Sequence, residues 1–156
     1  MSSFLILSFF VLLSGRRVRT AITKADGTST GIWHVHYETA LTCQEPPSLP
    51  AELRNYSPVN DTVFQDDTVA FVMAKAYAPP GNVASNVLLD TIHVVLLPGD
   101  PLDDSYDEHL PDFPYPIVLG LGTVTSSVET LPDGRFSFLV SLSDYMRGNL
   151  KQSILQ

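Results

Sequence analysis

Proline divides this chain into segments of strand length. Twelve prolines fall largely in clusters, at residues 46–50, 79–80, 98–101 and 111–116, and the apolar runs between them are short. A proline has no N–H to donate and clashes with the preceding helical turn, so each cluster reads as a connection between elements.

The segments between these breaks carry a period of two. From Ile32 to Thr39, Trp33, Val35 and Tyr37 point one way and His34, His36 and Glu38 the other, as in a half-buried strand. Asp67–Ala78 begins with β-branched residues and stops at Pro79, which favours strand over helix. Val87–Leu97 and Ile117–Ser127 read as two more strands, the latter with Gly120 and Gly122 where a strand bends or a neighbouring backbone comes close. The turn sequence from Leu131 to Gly134 sets up a hairpin into Phe136–Leu142, with Phe136, Phe138, Val140 and Leu142 on one face. Ser143–Gly148 reads as one helical turn, and Asn149–Gln156 as a further strand. Residues 44–58 read as an irregular connection with a helical turn at Ala51–Arg54. Five or six short strands predict an all-β fold, a small antiparallel barrel or a sandwich. Residues 32–156 form its single domain, and residues 1–31 an apolar and basic extension.

Within that extension, Phe4–Leu13 is almost wholly apolar but only half the roughly 20 residues a membrane helix needs. It matches a signal-peptide core in length, yet Met1–Ser3 carries no basic side chain and the arginines follow rather than precede it. With the sequons Asn55-Tyr-Ser57 and Asn60-Asp-Thr62, secreted and intracellular locations stand equally.

The net charge of −8 is unevenly spread. Arg16, Arg17, Arg19 and Lys24 are the only charged residues among the first 25, leaving 17 acids against five bases in the remainder. Such a body repels nucleic acid on average. The acids concentrate between residues 99 and 112, where Asp100, Asp103, Asp104, Asp107, Glu108 and Asp112 stand without a base. Their spacing is not that of a calcium loop, and a solvated loop that contacts a basic protein surface is the expectation.

Catalytic and metal signatures are sparse. His34 and His36 share a strand face, but two ligands are too few for structural zinc. Cys43 is the single cysteine, so the chain makes no internal disulfide. No nucleophile elbow, phosphate loop or dinucleotide fingerprint is present, and nothing fixes a nucleophile beside Asp90 and His93. No enzyme activity, cofactor or metal is therefore expected. Trp33, Tyr37, Phe71, Tyr77, Phe136 and Phe138 supply rings for base stacking, but without a basic groove they read as core.

Several stretches together resemble a family of uncharacterised mushroom-type fungal proteins. They are Trp33–Glu38, Asp67–Pro80, Pro98–Pro101, Pro111–Pro114, Gly120–Val124 and Val140–Gly148. The resemblance covers roughly residues 30–156 and carries no activity. It implies an OB-like barrel that continues past residue 156, leaving this chain incomplete at its C-terminus. The expectation is a non-catalytic β-domain that binds a partner. The alternatives are an OB-like module for single-stranded nucleic acid and a small secreted fungal protein.

Overall fold

A computed structural model describes residues 3–23, 25–43, 47–79, 86–113 and 115–156, except for the side chains of Asp107 and His109. The eleven strands are β1 (Ser3–Thr23), β2 (Ser29–Leu41), β3 (Leu49–Tyr56), β4 (Thr68–Tyr77), β5 (Val87–Leu96), β6 (Ile117–Leu121), β7 (Thr123–Val124), β8 (Glu129–Thr130), β9 (Phe136–Ser137), β10 (Val140–Met146) and β11 (Asn149–Leu155). A single 3₁₀ turn, Tyr106–His109, interrupts them. The fold is all-β, as expected. No helix among the described residues is long and apolar enough to cross a membrane.

Hydrogen bonding runs around a ring of five strands, β1-β2-β3-β5-β4 and back to β1. Each contact is antiparallel except β3 with β5, which is parallel. One strand makes the ring possible. The first half of β1 pairs with β4 from Leu5 to Leu12, and its second half pairs with β2 from Leu13 to Thr23. Between them the register shifts at Leu13/Arg16, where Ser14 takes φ 53°. A bulge of this kind bends a strand and raises its twist, so one strand can turn from one neighbour to the next. Gly15 is obligatory at the bend for lack of space: a Cβ there would stand 2.6 Å from Val63 Cγ1 and 2.7 Å from the Tyr37 ring.

The apolar start of the chain is therefore part of the domain and not an extension to it. Alternate residues Phe4, Ile6, Phe10 and Leu12 are buried in the core with Val35, Tyr37, Leu53, Val72 and Leu89. β4 contributes Ala70, Ala74 and Ala76 on its inner side. Such small side chains suit a narrow ring already filled by the phenylalanines of β1.

Two other expectations are corrected. Residues 49–56, read as part of an irregular connection with a helical turn at Ala51–Arg54, form β3. Ala51 and Leu53 point inward and Glu52 and Arg54 outward, a period of two that the flanking prolines obscured. Residues 143–146, read as helical, continue β10, and Arg147 and Gly148 make the turn into β11 with φ of 51° and 81°. Positive φ at both central residues is the geometry of a tight two-residue hairpin.

Outside the ring, β10 and β11 pair with each other and with β7, and β8 pairs with β9. Lys75 Nζ on β4 meets Asp144 Oδ1 on β10 at 3.0 Å, and Ser153 Oγ on β11 accepts from the Ala78 N–H at 3.1 Å. Gly122 is where backbones converge, since a Cβ there would lie 2.4 Å from Ser141 O. β6 lies beside the first residues of β1 as an edge strand.

Candidate functional site

The outward side chains of β1, β2 and β3 form one polar and aromatic face. The pairing register places Arg16 beside His36 and Val18 beside His34. It also sets His34 opposite Tyr56 and His36 opposite Arg54. Alternation therefore puts Arg16 with His34, His36, Arg54 and Tyr56 on one side of these strands, and Arg17, Arg19 and Trp33 on the other, the side of Val35. The Arg19 guanidinium lies 5.8 Å from the centre of the Trp33 ring, a cation–π spacing. His34 and Tyr56 meet edge to face at 6.3 Å, and the Tyr56 side is 63% exposed. A shallow cleft of about 220 Å³ opens between Trp33, Tyr56, Pro58 and Val59.

Arg17 has a different task. On the opposite side of β1, it donates to the carbonyls of Pro58, at 2.7 Å, Val59, at 3.1 Å, and Asp61. It ties the loop after β3 to the bend of β1. Below it, the Phe64 N–H donates to the buried Tyr37 hydroxyl at 2.9 Å, and the Tyr37 and Phe64 rings stack.

At the lower end of the face lies an ion network that the sequence did not announce. Glu52 accepts from Arg16 Nη2 at 2.8 Å, stands 3.1 Å from His36 Nδ1, and accepts a short bond from Arg147 Nη1. Asp90 accepts from Arg54 Nη2 at 2.5 Å and from Arg147 Nε at 3.0 Å. Arg147 reaches this point from the tip of the β10–β11 hairpin. The carboxylates are mostly shielded from solvent, and each has two or more charged partners. His36 thus enters an ion network with Glu52, and Asp90 is used by arginines, away from exposed His93. Among the described residues, no three His, Cys, Asp or Glu side chains gather in a metal-holding group.

The network sets the sense of the pH response. Burial pushes His36 below the ordinary histidine value of 6.5, with Arg147 and Arg16 adding to it and Glu52 opposing. Burial likewise lowers His34, helped by Arg54 and His36. For Glu52, burial alone raises the value, but Arg147 and His36 outweigh it and hold the carboxyl below 4.5. All three groups bind protons more weakly when folded. The histidine contribution to stability is complete above about pH 6.5 and is lost as pH falls through the folded values. That of Glu52 follows below about pH 4.5. Melting temperature is thus expected to fall in two stages between pH 7 and 3. The double variant His34→Gln, His36→Gln should flatten only the upper stage in a differential scanning calorimetry series.

The acidic loop holds its own shape. Asp100 accepts from the Leu102 N–H at 3.0 Å, and Asp103 accepts from the N–H and hydroxyl of Ser105, each at 2.9 Å. These are Asx turns, which use a carboxylate to fold its own backbone. Tyr106 anchors the loop: it is buried, and its hydroxyl accepts from the Val69 N–H at 3.0 Å. Asp104, Glu108 and Asp112 face solvent. Asp107 sits in the 3₁₀ turn, with its side chain outside the described residues. Asp103 and Asp104 line a groove of about 410 Å³ together with Asp67, Val11, Val69 and Leu102. Of the aromatic residues read as core, Tyr37 is buried, Phe136 and Phe138 are exposed, and Phe71 packs with Phe9 and Phe113.

No protein-family model matches the chain, and the curated proteins contain no match to it.

Proposed function

We propose that this protein is a non-catalytic binding module of OB type whose ligand is single-stranded nucleic acid, held around strands β1, β2 and β3. The strand order supports the OB reading: β1 to β3 run as a meander, β4 returns beside β1, and β5 closes against β3. In barrels of that type the β2-β3 face and the loops beside it take oligonucleotides; this step is an analogy of fold. What carries the ligand class is the interleaving of arginine and aromatic side chains. Exposed Tyr56 beside His34, with Arg16 and Arg54, lies on one side of the strands, and Arg19 over Trp33 lies on the other, so stacking planes and cations stand on both sides of the β1-β2 pair. Bases stack on aromatic planes in any sequence, and guanidinium groups meet the phosphates.

This reading reverses the expectation drawn from net charge. That expectation averaged over a body that holds six of its 17 acids in the 99–112 loop, and it set aside the arginines that β1 brings beside β2. Fluorescence anisotropy with a labelled 20-residue oligothymidylate should show binding at 50 mM salt that weakens steeply as salt rises. Trp33→Ala and Tyr56→Ala should each weaken it roughly 5- to 100-fold, the range set by stacking of about 1–3 kcal/mol per base. Absence of binding at low salt overturns the reading.

A second reading has its own observation. The groove beside the acidic loop pairs the carboxylates of Asp67, Asp103 and Asp104 with the apolar sides of Val11 and Leu102. That combination suits a lysine or arginine of a basic protein, with the aliphatic stem on the apolar wall and the cation at the carboxylates. Asp103→Asn with Asp104→Asn should abolish retention of a basic peptide without altering oligonucleotide binding.

A further inference from the structure

The edge strand β6 is apolar, uncharged and open. Its five residues, Ile117-Val-Leu-Gly-Leu121, are all exposed, with Ile117 at 47%, Leu119 at 51% and Leu121 at 62%. One side of the strand is bonded to β1 from Ser3 to Leu7. The other side has no strand partner among the described residues. An edge strand that is exposed, apolar and free of charge is a template for pairing with another strand, and proteins that stay monomeric usually blunt it with a lysine, a proline or a bulge. Here the nearest prolines, Pro114 and Pro116, precede the strand in sequence, and residues 113–128 contain no charged side chain at all.

We propose that β6 is a homodimer interface, pairing antiparallel with β6 of a second copy about a two-fold axis at Leu119. The register of such a pair is self-matching. Leu119 stands opposite its own symmetry mate, and Ile117 of each copy stands opposite Leu121 of the other, so all six side chains share one face. That face continues on β1, where Leu7, Leu5 and Ser3 lie beside Ile117, Leu119 and Leu121. The union of two five-strand rings would extend the sheet across the axis from β4 to β4.

Charge selects the second copy as the occupant. Each chain carries −8 and would repel its twin over most of its surface. The stretch around β6 is where two copies can approach without bringing like charges together. A basic foreign partner would gain nothing from this neutral edge and would find its complement at the acidic loop. Exposed apolar surface beside the strand adds to the contact. Val118, Val124 and Val128 add roughly half-exposed apolar side chains to the three on the pairing face. Together these supply part of the ~800 Å² per partner of a standard stable interface, in keeping with a dimer that forms as concentration rises. Two-fold dimers are the commonest closed assembly of a single chain.

Sedimentation velocity on the purified chain between 1 and 100 μM tests this. The expected result is a dimer whose population grows with concentration. Leu119→Lys sets two cations against each other at the axis, Leu121→Lys sets one against Ile117 at each end, and each should shift the species to monomer, raising the apparent dissociation constant at least 10-fold. Leu150→Lys, at an equally exposed apolar position on β11, should leave the dimer intact. A cooperative thermal transition identifies which variants are folded, and Leu121→Lys at the strand end serves where Leu119→Lys is not. A monomeric parent chain overturns the proposal. So does a dimer that survives in folded β6 variants, one that Leu150→Lys also dissolves, or open-ended association beyond two copies. Oligonucleotide binding is read on a different face, so either conclusion stands or falls without the other.

Discussion

Phe10→Ala is expected to lower the unfolding free energy by about 3–5 kcal/mol, the range for removing a buried aromatic ring and leaving a cavity. Phe10 is 2% exposed and lies on the half of β1 that pairs with β4, where its neighbours include the close-packed alanines of that strand. Those alanines have no rotamers with which to fill the space. The loss should therefore sit toward the upper part of the range and appear in urea denaturation as a lower midpoint with an unchanged slope. Val11→Ala, one residue away on the outer side and 43% exposed, should cost about 1 kcal/mol or less. The contrast between neighbours tests whether the first apolar segment is a core strand. Equal small effects at both positions would return it to the status of an appended segment.

Arg147→Ala is the second large effect, expected at about 2–4 kcal/mol. Breaking a shielded ion network by removing one partner leaves the opposite charges without compensation, and that penalty exceeds the net value of the pair itself. Arg147 serves two carboxylates, Glu52 and Asp90, each with its side chain less than a fifth exposed. Arg16→Ala should cost under about 1 kcal/mol by comparison, because that guanidinium is 63% exposed and solvent replaces it. Arg147→Gly separates two contributions. Glycine adopts the left-handed φ of this turn position more readily than arginine, so it should recover part of the loss while the ion contacts stay broken. If Arg147→Gly matches the parent in chemical denaturation, the network contributes nothing to holding the hairpin on the ring.

How much of this was legible beforehand depended on whether a signal was local. Alternation in Trp33–Glu38 gave the middle of β2, and the β-branched start of residues 67–78 gave β4 to within one residue at each end, because a half-buried strand writes its two faces directly into the sequence. Gly122 was rightly suspected as a place of close backbone approach. β3 was missed because Pro47 and Pro50 dominate its surroundings, although Ala51, Leu53 and the charged Glu52 and Arg54 already alternated. β1 was missed for the opposite reason. Residues 4–13 are almost wholly apolar on both faces, Phe9 on the outer side packing on Phe71 and Phe113, and such an apolar run looks like a leader or a buried strand alike. The arginines were counted with that segment and so left out of the surface proposed for binding. The ion network could not have been read at all. Glu52, Asp90 and Arg147 are 38 and 57 residues apart in turn, and only the parallel contact of β3 with β5 and the tight turn at Arg147 bring them together.

The two-way pairing of β1 also has a consequence in time. β1 is synthesised before its partners, since β4 is complete only at Tyr77, the contact of β3 with β5 only at Asp90, and β6 only at Leu121. At about 5–20 residues per second, synthesis of the intervening chain takes several seconds. For that interval Phe4–Leu13 is a ten-residue greasy ribbon whose later companions have yet to be translated. Nascent chains of this protein should consequently depend on holdase chaperones early in synthesis, and slowing translation after residue 30 should increase the fraction that aggregates.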